Sequence, residues 1–225
     1  MSEFVPPARA SLWRPTSDRL ARLVLGLALF GAGEGCIVRS ELGNSPWTVF
    51  AEGVSLSTPL SIGAATIAIS FVVLLLWIPL RQAPGLGTVA NAIVIGVALE
   101  GTVRLLPEEV ALPPRWTLLL GGIALVALGS GLYLTAALGP GPRDGLMTGI
   151  HDRTGLSLRL VRASIEISVL AAGYLLGGTA GAGTLAFALL IGPGVQLAVE
   201  RLSTPEWRAL HPRRRPGGRP ERARS

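Results

Sequence analysis

"LGPGPRDGLM", Leu138–Met147, interrupts a greasy chain, and "LGNSPWTVF", Leu42–Phe50, interrupts it earlier in the same way. Each stretch follows a long apolar run and places a proline four residues after its leucine. Sliding the chain by 96 residues aligns the two halves without a gap, from about Leu23 to Val103. Gly26, Gly33 and Gly35 then meet Gly122, Gly129 and Gly131, and Leu42-Gly43 and Pro46 meet Leu138-Gly139 and Pro142. Gly85, Gly87 and Thr88 meet Gly181, Gly183 and Thr184. Leucine and alanine match by chance in such a chain, but glycine, proline and threonine at one fixed offset do not. The break recurs because the fold is duplicated.

The runs between the breaks set the fold class. Leu60–Leu80, Thr117–Leu138 and Thr179–Val199 hold 21, 22 and 21 residues without a charge. About 20 apolar residues span a bilayer, whereas a soluble core helix keeps one wet face. Hydrophobic residues make up 49 %, charged residues 15 %, and mean hydropathy is +0.52. The chain reads as an all-α polytopic membrane protein with six transmembrane helices. These form two inverted three-helix repeats, each with a short helix after its Leu-Gly-x-x-Pro break. The division is a tail at 1–19, repeats at 20–105 and 116–202 around an external linker at 106–115, and a disordered basic tail at 203–225.

Three spans per half is an odd number, so the second half enters the membrane upside down, an arrangement that recurs in transporters. Arginine placement tests this, because positive residues favour the cytoplasmic side. All 20 basic residues are arginine. With both termini inside, only Arg39, Arg104 and Arg115 lie outside, a split of 17 to 3. The net charge of +6 lies in the tails and one loop, not on a folded basic face, so nucleic acid is not a partner. The N-terminal arginines and the apolar run after them resemble a signal peptide. No A-x-A-like site follows, so the segment reads as a retained first span.

The paired "LGxxP" breaks, the "GPRDGLM" version of the second, and the "GxGT" turns at Gly85–Thr88 and Gly181–Thr184 resemble the YczE/YitT-type bacterial integral membrane proteins, the YczE branch most. The resemblance covers about Leu20–Leu202. It implies a multi-pass protein of the bacterial cytoplasmic membrane and brings no settled substrate or catalytic residues.

Ser45 is placed to cap a short helix that Pro46 opens, and Gly141 and Pro142 repeat the arrangement. About ten residues make a helix of roughly 15 Å. Helix N-termini attract anions, so the two short helices read either as re-entrant half-helices aimed at a shared site or as amphipathic helices on the membrane surface. Only the second copy carries Arg143 and Asp144. Asp144 suits a first helical turn, but Arg143 opposes the dipole there and needs an anionic partner at a cytoplasmic mouth.

Acids inside membranes default to functional candidates. Glu34, Glu100 and Glu166 have repeat mates Ser130, Gln196 and Ser70, so a polar group stands at each level in both halves and is expected to face inward. The competing reading is local pairing, Glu100 with Arg104 and Arg162 with Glu166, with Glu34 and Glu100 interfacial. Gly26, Gly31, Gly33, Gly35, Gly121, Gly122 and Gly129 are expected at close helix contacts, and Gly192-Pro193-Gly194 to break the sixth span.

Neither "GLGT" nor "GAGT" forms a nucleotide loop, since no Walker lysine follows. His151 and His211 are far apart and Cys36 is the single cysteine, so no metal, cofactor or disulfide is expected and no catalytic set is visible. The chain therefore reads as a transporter or channel for a small polar or anionic solute, not an enzyme. Candidate pathway residues are Arg143, Asp144, Ser45, Pro46, Pro142, Glu166, Glu34 and Glu100. The rival reading is a non-transporting accessory or scaffold protein acting through its cytoplasmic loop and tail. Lipids are the expected partners, and the sequence leaves a homo-oligomer open.

Overall fold

The computed structural model describes residues 12–108, 111–203 and 207. These form eight helices and no strand: α1 Ser17–Ser40, α2 Pro46–Ser57, α3 Ile62–Leu80, α4 Leu86–Leu105, α5 Leu112–Thr135, α6 Pro142–Thr154, α7 Leu158–Leu175 and α8 Ala182–Leu202. Among them α1, α3, α4, α5 and α8 are long and apolar enough to cross a membrane. The sequence reading counted six spans. Its fifth corresponds to α7, which has 18 residues, three of them the charged Arg159, Arg162 and Glu166, and so falls short on composition. Phe71, Val72, Leu75, Leu76 and Ile78 on α3 and Leu185, Leu189, Leu190 and Leu197 on α8 are exposed. Faces this apolar belong in lipid rather than water.

The centre of the molecule is the crossing of α1 and α5. A Cβ on Gly26 would lie 2.8 Å from the Gly129 carbonyl, and one on Gly122 would lie 2.7 Å from the Gly33 carbonyl. Gly26 lies level with Gly129 and Gly33 with Gly122, so the helices run antiparallel. The two contacts are the same contact seen from each side of the 96-residue offset. Glycine is needed here because each helix places its backbone where the other's side chain would be. Gly121, by contrast, has nothing within 4 Å of a Cβ.

The breaks and the GxGT turns pack against one another across the halves. Gly183 donates its N–H to the Leu42 carbonyl at 2.7 Å, and Gly87 donates to Leu138 at 2.8 Å. Thr184 donates to the Asn44 carbonyl and Thr88 to that of Pro140, both at 2.8 Å. Each threonine also accepts the N–H of Gly181 or Gly85, so it caps its own helix while holding the other half's break. Gly43 and Gly139 have φ of 117° and 114°, a region that favours glycine. That is why Leu-Gly, rather than any pair, is repeated.

Three features differ from the sequence reading, the first being that α1 begins at Ser17, inside the expected tail at 1–19. The linker is shorter than 106–115, because Pro113 and Pro114 lie in the first turn of α5, where a missing N–H costs nothing. The Gly192-Pro193-Gly194 sequence does not break α8, which runs on to Leu202. His211 and the C-terminal tail, Ser203 and Trp207 apart, lie outside the described residues.

Candidate functional site

Both short helices begin inside the bundle. The Ser45 hydroxyl donates to Glu34 Oε2 at 2.9 Å. Glu34 lies six residues before the end of α1, so α2 starts about 9 Å inside that end, roughly half way to the helix midpoint. Gly141 sits beside Asn91, five residues into α4. Each start lies below the end of the long helix beside it. From there the helices run outward, with Leu56, Ser57 and Thr58 exposed on one and His151–Thr154 partly or fully exposed on the other.

Between these two starts lies a cavity of about 410 Å³. Glu34, Ser45, Pro46, Arg143, Asp144 and Glu166 line it, six of the eight residues singled out from the sequence. Pro142 is buried beside it, its carbonyl accepting the Trp77 indole N–H at 3.0 Å. Glu100 lies elsewhere: it accepts the Gly63 N–H at 3.1 Å and pairs with Arg104 at 2.8 Å, fastening α3 to α4. Its repeat mate Gln196 is exposed, so the expectation of an inward polar group at each level fails there. Local pairing accounts for Glu100.

Glu34 is buried, 1 % exposed. Its Oε2 accepts both Ser45 and Thr48, the latter at 2.7 Å, while Oε1 has no hydrogen-bond partner. Ser45 occupies the N-cap position of α2, yet its side chain does not cap the helix. The hydroxyl is spent on Glu34, whose charge suits the helix N-terminus.

Arg143 lines the cavity half-buried, beside the exposed Asp144. Its guanidinium lies over the Trp47 ring, 4.8 Å from the centroid, an arrangement worth about 0.5–2 kcal/mol. Glu34, Asp144 and Glu166 are its acidic neighbours, but among the described residues none forms an ion pair with it within 4.0 Å. Asp144 accepts the Tyr133 hydroxyl at 2.8 Å, and Arg162 pairs with Glu166 at 2.8 Å. The wall thus carries three acids and two arginines set among apolar residues such as Phe30, Ile95, Val126 and Phe187.

The sequence reading missed Tyr133. A tyrosine within an apolar run was the available signal, since a buried hydroxyl needs a partner. It also missed Glu52. This acid accepts Asn44 Nδ2 at 2.8 Å, the Thr179 N–H at 2.6 Å and the Thr179 hydroxyl at 2.9 Å, tying the first break to the α7–α8 turn. Among the described residues no three histidine, cysteine or acidic side chains gather as metal ligands.

The family of unknown function DUF6198 matches residues 17–200. An uncharacterized protein of Haemophilus influenzae is 46 % identical over 189 residues, covering 84 % of this chain and 87 % of its own. The uncharacterized membrane protein YczE of Bacillus subtilis is 31 % identical over 169 residues, covering 74 % and 79 %. The uncharacterized protein YyaS of the same organism is 24 % identical over 165 residues, covering 72 % and 82 %. No solved structure matches. With the matched stretch running from the start of α1 to the last turn of α8, the chain belongs to the DUF6198 family and is a YczE-like membrane protein.

Proposed function

We propose that the protein is a carrier, not an enzyme, that binds a small polar solute in the cavity between two inverted repeats, α1–α4 and α5–α8. The antiparallel crossing of α1 with α5 supports inversion, because these helices are repeat mates. So do the reciprocal contacts between breaks and turns. In this reading α7 is the fifth of six crossings. It occupies the repeat position of α3, turns Arg162 and Glu166 to the cavity and leaves Ile167, Tyr174 and Leu175 exposed. The arginine split puts both termini, α6 and the α6–α7 loop on the cytoplasmic side of the bacterial inner membrane.

The observation that carries the reading is the cavity itself, with two helix starts, a buried carboxylate and an arginine converging on it. Scaffolding would need none of these. Both helix N-termini already face a carboxylate of the chain, Glu34 at α2 and Asp144 at α6, so a plain anion is served only by the arginines. The test uses Ser130→Cys and Met147→Cys in a Cys36→Ala background, since both positions line the cavity. A charged methanethiosulfonate reagent is expected to modify both in membranes. Unreactive cysteines would mean a dry interior and favour the scaffold. In cells, loss of solute exchange in Glu34→Gln, without loss of inserted protein, is the matching functional readout.

A further inference from the structure

The two halves differ at one seam. In the first, α3 and α4 are closed by Gly63 and Gly96: a Cβ on either would lie 2.5–2.6 Å from the other's carbonyl. Glu100 adds its bond to the Gly63 N–H across the same seam. In the second half the mates of Gly63 and Gly96 are Arg159 and Gly192. An arginine cannot take the place of that glycine, and Gly192 has nothing within 4 Å of a Cβ. Helices α7 and α8 accordingly pack far less than α3 and α4. Both line the cavity, through Arg162 and Glu166 on one side and Phe187, Ile191 and Gly192 on the other. The seam that is sealed in one repeat is therefore a side wall of the cavity in the other, and the apolar face of α8 beside it is exposed.

Inside, two groups await partners. Glu34 Oε1 has no donor, and the guanidinium of Arg143 makes no hydrogen bond or ion pair among the described residues. One ligand group must offer a donor to the acid and another an acceptor to the arginine. A zwitterionic head, with an ammonium and an anionic group a few bonds apart, offers both. An apolar chain attached to that head would find the α8 wall and the open seam.

We propose that the cavity takes an amphiphile with a zwitterionic head, which enters from the bilayer between α7 and α8. This rests on the carrier reading and adds the ligand class and the route. The head's anionic group lies on Arg143, stacked on Trp47, and its ammonium lies against Glu34. The chain leaves past Gly192.

The experiment is native mass spectrometry of the detergent-released full chain with three probes: lysophosphatidylethanolamine, lysophosphatidylglycerol and chain-less glycerophosphoethanolamine. Retention of the first above the other two is expected. Glu34→Gln and Arg143→Gln should each weaken it about 10- to 100-fold, the size of one lost charged hydrogen bond. Gly192→Trp, which fills the seam, should weaken it similarly. Gly121→Trp, equally unobstructed but on α5, should not. Equal retention in all variants would mark annular lipid only and overturn the proposal. Equal binding of the chain-less head would overturn the lateral route and the amphiphile while leaving a water-fed carrier standing. Absence of binding by any probe, with Ser130→Cys still reactive, would remove this ligand class and not the cavity.

Discussion

Replacing Gly129 by alanine adds one methyl group at the α1–α5 crossing. Its Cβ would lie 2.5 Å from the Gly26 carbonyl oxygen and 2.6 Å from the Phe30 nitrogen. Both are backbone atoms of α1, so no side chain can turn aside and the helices must part. Overpacking of this kind costs about 1–3 kcal/mol. Gly121, two turns earlier on the same helix, is the control, because an alanine there meets nothing within 4 Å. Both substitutions gain the same helix propensity, about 0.5–1 kcal/mol, so their difference isolates the crossing. For a chain of this size 1 kcal/mol moves the melting midpoint by roughly 2–4 °C. In detergent-solubilised protein, Gly129→Ala is thus expected to melt about 2–12 °C below Gly121→Ala, which should match or exceed the wild type. Equal midpoints would refute the crossing geometry, and with it the argument for antiparallel repeat mates.

Three further outcomes follow from the contacts. Glu52→Ala strips Asn44 and Thr179 of a charged acceptor and should cost about 1.5–3 kcal/mol; thermal melting unchanged within a degree or so would show that the first break is held without it. Thr88→Val and Thr184→Val each delete one cap and one cross-half bond, so circular dichroism melts should fall by similar amounts, and a large drop in one alone would argue against equivalent turns. For topology, a membrane-impermeant maleimide applied to intact cells lacking Cys36 should label Thr58→Cys and spare Thr154→Cys, both exposed positions. Labelling of Thr154→Cys from outside would defeat the inverted arrangement.

Membrane class and the recurrence of motifs at a 96-residue offset were legible in the residues alone, for physical reasons. A bilayer demands runs of about 20 apolar residues, and such runs survive in any alignment of a chain with itself. Gly43, Gly139 and the glycines of the α1–α5 crossing answer backbone demands, a positive φ or a close approach, that other side chains meet poorly. Those demands leave a mark at a fixed residue type and spacing. Five of the six candidates that line the cavity stood out because charge and proline are rare in such runs, and Ser45 stood out only as the residue before Pro46.

What tertiary structure decided is which face of each helix looks inward. Helix α3 has no charged residue and α4 has only Glu100 and Arg104, so no hydrophobic stripe distinguishes the lipid side from the core. Glu34 and Glu100 therefore looked alike, yet one lies buried on the cavity wall and the other fastens two helices. Gly121 and Gly122 are neighbours in sequence, and only Gly122 touches α1. The depth at which α2 and α6 begin, the meeting of Arg143 with Trp47, and the open seam between α7 and α8 all join residues far apart in the chain. Each depends on how whole helices pack, which local spacing does not encode.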